Sequence, residues 1–125
     1  MSELVSIIIN CHNGEKFLRR CLQSVINQNY KNWEIIFWNN NSSDNSKKIF
    51  QSYNDERFNY YESTNLINLS IARNFAISKS KGKFISFLDV DDYWNENKLY
   101  KQISFFKTND RIALLFSNFF FRKFK

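Results

Sequence analysis

Phe84-Ile85-Ser86-Phe87-Leu88-Asp89-Val90-Asp91-Asp92 decides how this chain is read, because a strand-forming apolar run stops on three carboxylates within four positions. A run this continuously apolar marks a strand buried on both faces, as in a parallel sheet. The acids would then emerge at the carboxyl edge of the sheet, where open α/β sheets bind their ligands. Carboxylates this close repel one another unless a cation or hydrogen bonds hold them. Hard oxygen donors suit Mg²⁺ or Mn²⁺, so Asp89, Asp91 and Asp92 are candidate ligands for a cation that would hold a diphosphate. A plainer alternative stands beside it, in which Asp91 or Asp92 caps a helix starting near Asn95.

Working outward, the same succession of strand, polar loop and helix recurs. Val5-Ser6-Ile7-Ile8-Ile9 is a strand-length β-branched run ended by the polar residues Asn10 to Gly14. Phe17-Leu18, Cys21-Leu22 and Val25-Ile26 then recur every four residues, one broad apolar stripe on a helix. Trp33 to Trp38 repeats the strand, Asn39 to Ser43 the loop, and Asp44 to Tyr53 the helix, with Ser43 as its expected N-cap. A third strand is expected over Arg57 to Tyr61 and a helix from about Ser70 to Ser80, with Gly82 as its C-terminal stop. Lys83 to Leu88 is the strand that delivers the acids, Asn95 to Thr108 a helix, and Ile112 to Phe116 a last strand. Strands alternating with helices demand right-handed crossovers and a mostly parallel sheet with flanking helices. The loops after its strands then converge on one rim, joined by Arg73 if its helix begins there.

At 125 residues the chain is one domain, expected to span residues 1–125, long enough for a core but short for an enzyme with two substrates. With 43% hydrophobic and 24% charged residues it is globular rather than disordered. Its 14 Phe, 3 Trp and 6 Tyr are enough to fill a core and leave some apolar surface exposed. The net charge of +6 is spread along the chain, which suits anionic nucleotides or an acidic membrane face and also serves solubility. No nucleic-acid-binding signature is present, so nucleic acid is not expected as a partner. Cys11 and Cys21 form no Cys-X-X-Cys pair and read as reduced, small apolar residues of a cytoplasmic protein. Met1-Ser2-Glu3 leads straight into a strand pattern, unlike a signal peptide, and no run is long enough to span a bilayer. Phe119-Phe120-Phe121-Arg122-Lys123-Phe124-Lys125 reads either as an element cut off midway or as a segment lying on a membrane surface.

With Gly14 and Gly82 the only glycines, no Gly-rich phosphate loop exists, which argues against P-loop nucleotidases and dinucleotide dehydrogenases. A cation and an arginine can neutralise phosphates instead, and Arg73 is the candidate for a bidentate contact. A solvated helix position or a structural pair with an Asp is its other reading. Asn10, His12, Asn39, Asn40 and Asn41 could hydrogen-bond a base and ribose, although Asn is also an ordinary loop residue. As the only histidine, His12 rules out a His-based metal cluster.

Val5 to Leu18, Ser24-Val25-Ile26-Asn27-Gln28, Trp33-Glu34-Ile35-Ile36 and Asn41 to Ser46 resemble, in order, the N-terminal half of a family 2 glycosyltransferase of GT-A fold. Ala72-Arg73-Asn74-Phe75-Ala76 and Gly82 to Trp94 continue the resemblance over nearly the whole chain. It implies a Rossmann-like GT-A domain and an inverting transferase. Such an enzyme takes a sugar from a nucleoside diphosphate, usually UDP, with Mn²⁺ or Mg²⁺, in cell-surface polysaccharide synthesis. Asp89-Val90-Asp91 matches the family's Asp-X-Asp, whose last carboxylate ligates the metal, and Asp92 the acid that often follows. Asn10 and His12 match nucleotide-facing positions, and Arg73 the arginine near the donor pyrophosphate.

Two departures matter. Asn39-Asn40 stands where the family usually has Asp-Asp or Asp-Asn, and an amide that both donates and accepts leaves base preference open. The acceptor-binding half with its general base has no counterpart here, so the domain is expected to be truncated, with no catalytic base assigned. The expected partners are a UDP-sugar and a saccharide or lipid-linked acceptor, with peripheral association at the inner face of the membrane and a homodimer or partner chain. The alternative function is a non-catalytic nucleotide-binding module that acts only with a partner chain.

Overall fold

The computed structural model describes residues 2–115. Strands and helices alternate as β1 (Val5–Cys11), α1 (Glu15–Ile26), β2 (Trp33–Asn40), α2 (Ser46–Gln51), β3 (Phe58–Ser63), α3 (Leu69–Ser78), β4 (Phe84–Phe87) and α4 (Lys98–Thr108). The sheet has the order β3-β2-β1-β4, and every neighbouring pair is parallel. β1 and β2 occupy its centre in a ladder running from Val5 opposite Trp33 to Cys11 opposite Asn39. Both faces of these strands are covered, which is why their sequences are apolar without alternation.

One face packs on α1, α2 and α4. There Ile7, Ile9, Ile35 and Phe37 meet Leu18, Leu22, Phe50 and Leu99, all buried. Phe37 and Phe50 stack with ring centroids 4.2 Å apart. Burying each such side chain contributes about 1.5–3 kcal/mol relative to leaving it in water. The other face packs on α3, whose Ala72 and Ala76 lie against Ile8, Ile36 and Trp38.

The acid-bearing strand differs from its expectation. β4 is a four-residue edge strand, not a six-residue buried one, and Ile85 and Phe87 are 42% and 49% exposed. They sit opposite Ser6 and Ile8, on the α3 side of the sheet. α3 packs over β1 and β2 and leaves that part of β4 open. The inner face of β4 is covered, with Phe84 stacked on Phe106 of α4.

Gly82 does not stop α3, which ends at Ser78 with Lys79 as its C-cap. A Cβ at Gly82 would lie 2.6 Å from the Ser6 nitrogen, so the bare backbone is needed where this connection crosses β1. Gly82 N–H donates to Ser6 Oγ (2.8 Å), Ser6 Oγ–H to Glu34 Oε1 (2.6 Å) and Lys81 N–H to the same oxygen (2.8 Å). Asn45, not Ser43, is the N-cap of α2, and Asp44 Oδ1 accepts from Ser46 N–H instead. No strand forms over residues 112–115, and Phe116 onward, with the aromatic and basic end, lies outside the described residues. No described helix is long and apolar enough to cross a membrane.

Candidate functional site

Beyond β4 the chain turns sharply, with Asp92 N–H donating to the Asp89 carbonyl at 3.0 Å. The turn gathers the side chains of Asp89, Asp91 and Asp92, all exposed, so that one oxygen from each lies within 4.8 Å of the others. α4 starts later, at Lys98 with Asn97 as N-cap, so neither Asp91 nor Asp92 caps it. Burial, followed by the charges of Asp91 and Asp89, raises the pKa of Asp92, and Arg20 opposes the shift. Three exposed carboxylate oxygens at this spacing fit a hard divalent cation in their donor chemistry.

Arg73, in the second turn of α3, reaches across the rim to Asp89, Nη2 to Oδ1 at 3.3 Å. Both side chains are well exposed, and pairs of this kind contribute only about 0.2–1 kcal/mol. The arginine can therefore change partners at little cost.

The turn is seated on α1. Cys21 Sγ donates to the Asp89 carbonyl at 3.7 Å, and burial holds the Cys21 pKa well above its ordinary value, so the thiol keeps its proton. Val90 packs into the space left by Gly14, where a Cβ would come within 2.7 Å of Val90 Cγ2. Arg20 Nη2 donates to the Asp91 carbonyl at 3.4 Å, with its guanidinium 4.5 Å from the Tyr93 ring centroid. Arg20 was not singled out from sequence, and Gly14 and Cys21 were read there only as a loop glycine and a small apolar residue. Helical spacing puts Arg20 beside the buried stripe, but only the fold shows what that flank faces.

The loops after β1 and β2 interlock. Asn13 (φ 52°) and Asn41 (φ 54°) adopt the left-handed backbone that Asn tolerates better than most residues. Asn13 Oδ1 accepts from Ser43 N–H at 2.8 Å, Asn13 N–H donates to Ser42 Oγ at 2.9 Å, and Gly14 N–H donates to Ser46 Oγ at 3.0 Å. Glu15 N–H donates to Asp44 Oδ2 at 3.0 Å, and Asn45 N–H returns a bond to Glu15 Oε2 at 3.1 Å.

The candidate nucleotide contacts divide on this rim. His12 is exposed, and its Nδ1 lies 2.9 Å from the Asn40 carbonyl. A carbonyl only accepts, so Nδ1 carries a proton, while Nε2 lies 3.4 Å from Asn13 Nδ2. Asn10, the penultimate residue of β1, lies on the α3 side, and its Oδ1 is buried with no partner among the described residues. Asn39 and Asn40, adjacent on β2, point to opposite faces and are 3% and 6% exposed. Asn39 donates to Tyr60 Oη at 2.8 Å and accepts from Ser42 N–H at 3.0 Å. Asn40 donates to the Ile67 carbonyl at 2.8 Å and accepts from Ile67 N–H at 2.9 Å. Either amide would reach a ligand only by sharing or giving up such a bond. The surface depression beside α2, lined by Asp44, Asn45, Lys47, Lys48, Gln51 and Ser52, includes none of the candidate residues. The carboxylates lie in the open, so concavity does not locate them.

Residues 6–123 match the family model for glycosyl transferase family 2. The chain belongs to this family. The relatives of this glycosyl transferase family 2 chain include a UDP-Glc:α-D-GlcNAc-diphosphoundecaprenol β-1,3-glucosyltransferase, WfaP of Escherichia coli, 36% identical over 97% of this chain and 48% of the relative. Another is the putative teichuronic acid biosynthesis glycosyltransferase TuaG of Bacillus subtilis, 34% identical over 82% of this chain and 41% of the relative. Among solved structures, S. aureus TarS 1-349 in complex with UDP superposes with a TM-score of 0.78 at 25% identity, over 85% of this chain and 32% of that one. The mannosyltransferase PcManGT of Pyrobaculum calidifontis, in complex with GDP-Man and Mn²⁺, shares the fold with a TM-score of 0.75 at 18% identity, over 82% of this chain and 32% of its own. The expected GT-A architecture is thus present. The chain spans about half the length, or less, of the curated relatives named here.

Proposed function

We propose that this chain is the donor-binding half of a metal-assisted, inverting glycosyltransferase. It takes a sugar from a nucleoside diphosphate, UDP by preference, for transfer to a saccharide or lipid-linked acceptor in cell-surface polysaccharide synthesis. The observation that carries this is the convergence of Asp89, Asp91 and Asp92 with Arg73 at the carboxyl rim, in a chain whose family match covers residues 6–123.

Asp89, Asp91 and Asp92 would hold Mn²⁺ or Mg²⁺, which when bound offsets the negative charge that builds on a departing diphosphate. Arg73 leaves its weak pair with Asp89 and binds a phosphate oxygen through its planar fork. Asn10 Oδ1, without a partner among the described residues, accepts from an N–H or O–H of the base or ribose, which satisfies a buried acceptor that otherwise costs about 1–3 kcal/mol. His12 offers Nε2 at the same edge. Val90 sets the spacing of the flanking carboxylates, and Asn39 and Asn40 shape the base end through the loops they pin. The general base belongs to the acceptor side, and a lipid-linked acceptor would bring the work to the inner face of the membrane.

A second reading stands beside it, namely a module that holds the nucleotide without turnover and acts only with a partner chain. Calorimetric titration of UDP with Mn²⁺, without metal, and into Asp91→Ala tests the site itself. Metal-dependent binding that the variant loses is the expected result, and no binding with metal overturns the donor-site reading. Hydrolysis or transfer of a UDP-sugar by the chain alone excludes the non-catalytic reading.

A further inference from the structure

We propose that Arg20 is a positioning residue, which holds the turn from Asp89 to Asp92 against α1 so that its three carboxylates face a divalent cation together. The inference rests on the metal reading above and adds the device that keeps the ligands in place.

The turn touches α1 and its N-terminal loop at successive residues. Cys21 reaches the Asp89 carbonyl, Gly14 receives the Val90 side chain, and Arg20 reaches the Asp91 carbonyl. Of these, Arg20 brings a charge. Its guanidinium lies 4.5 Å from the Tyr93 ring centroid and 5.7 Å from that of Phe17, so the side chain is guided from α1 to the far side of the turn. Neighbouring carboxylates repel, and with no cation present an untethered turn would relax by spreading them. A guanidinium nearby offsets that repulsion. Because its bond goes to a backbone carbonyl, the oxygens of Asp91 stay available to a metal. Groups that orient metal ligands in this manner typically change metal affinity by about 10–100-fold when removed.

Charge and positioning predict opposite signs. A cation near a cation site repels what binds there, so if Arg20 acted by charge alone its removal would tighten metal binding. If it positions the turn, removal weakens binding. Titration of the 125-residue chain with Mn²⁺ alone, followed by the loss of the free-ion electron paramagnetic resonance signal, separates the two. Arg20→Ala is expected to bind Mn²⁺ about tenfold more weakly with an unchanged circular dichroism melt, and Arg20→Lys to recover part of the loss. Should Arg20→Ala fail to fold, Tyr93→Leu, at an exposed residue, carries the same expectation of weaker binding. Binding by a folded Arg20→Ala as tight as wild type or tighter overturns the inference while leaving the metal reading intact. Unchanged binding by Tyr93→Leu overturns it in the other case. A wild-type chain that takes up no Mn²⁺ overturns both, and is told apart because it fails before any substitution is made.

Discussion

Gly14→Ala perturbs the seat of the acidic turn without touching a carboxylate. The new Cβ would lie 2.7 Å and 3.0 Å from the two Val90 methyls and 2.9 Å from Cys11 Sγ. Carbon contacts relax at about 3.5–4.0 Å, so Val90 must move by roughly 1 Å. The backbone is not the obstacle, because Gly14 has φ −101°, open to any residue. Overpacking of this kind costs about 1–3 kcal/mol, and alanine is a poorer N-cap than glycine by several tenths more. A loss of about 2 kcal/mol corresponds to roughly 8 °C in Tm for a domain of this size. Val90 lies between two candidate ligands, so Mn²⁺ affinity should fall with stability. The assay is a double-mutant cycle, with Gly14→Ala, Val90→Ala and the pair compared by thermal melting and Mn²⁺ titration. Trimming Val90 should recover most of what the alanine loses, with a coupling above about 0.5 kcal/mol. Strict additivity, or a Gly14→Ala protein that melts and binds as wild type, would refute the packing account of the turn.

Asp55 and Arg57 pair at 2.7 Å, and the hydrogen bond from Arg57 holds the Asp55 carboxyl below its ordinary pKa of 3.8. A depressed folded-state value contributes stability above the unfolded pKa, which is lost as pH falls through the folded one. Asp55→Asn should therefore destabilise at pH 7 and much less at pH 3 in paired urea melts, and an equal loss at both would reject the ion-pair account. The exposed Phe87 on the β4 edge predicts concentration-dependent self-association, which Phe87→Lys should weaken in sedimentation velocity. A wild-type chain that stays monomeric at every concentration would count against it.

The central strands were legible because burial on both faces leaves an unbroken apolar run, as in Ile7-Ile8-Ile9 and Ile35-Ile36-Phe37. β4 carries a similar run, yet lies at an edge. Hydrophobicity records what a segment is able to bury, and which neighbours arrive depends on where α3 comes to rest. The acidic cluster and Arg73 were legible because strand ends and loop order fix the rim once the sheet is parallel. Asn39 and Asn40 could be placed there but not oriented, since the alternation of a strand sends adjacent side chains to opposite faces. Gly82 read as a helix stop, while its necessity comes from Ser6, far away in sequence. Arg20 was invisible for the same reason: its partner is a backbone carbonyl, which has no signature in sequence.

The interlocked loops after β1 and β2 bear on kinetics as well as on shape. Their ordering entropy is given up when the protein folds, through bonds such as Asn13 Oδ1 with Ser43 N–H and Glu15 N–H with Asp44. A ligand arriving at that edge meets, among the described residues, loops that are already ordered, so little of its interaction energy goes into taming the surface it lands on. Association there should run at the pace of encounter, and selectivity among nucleotides should appear in how long each one stays.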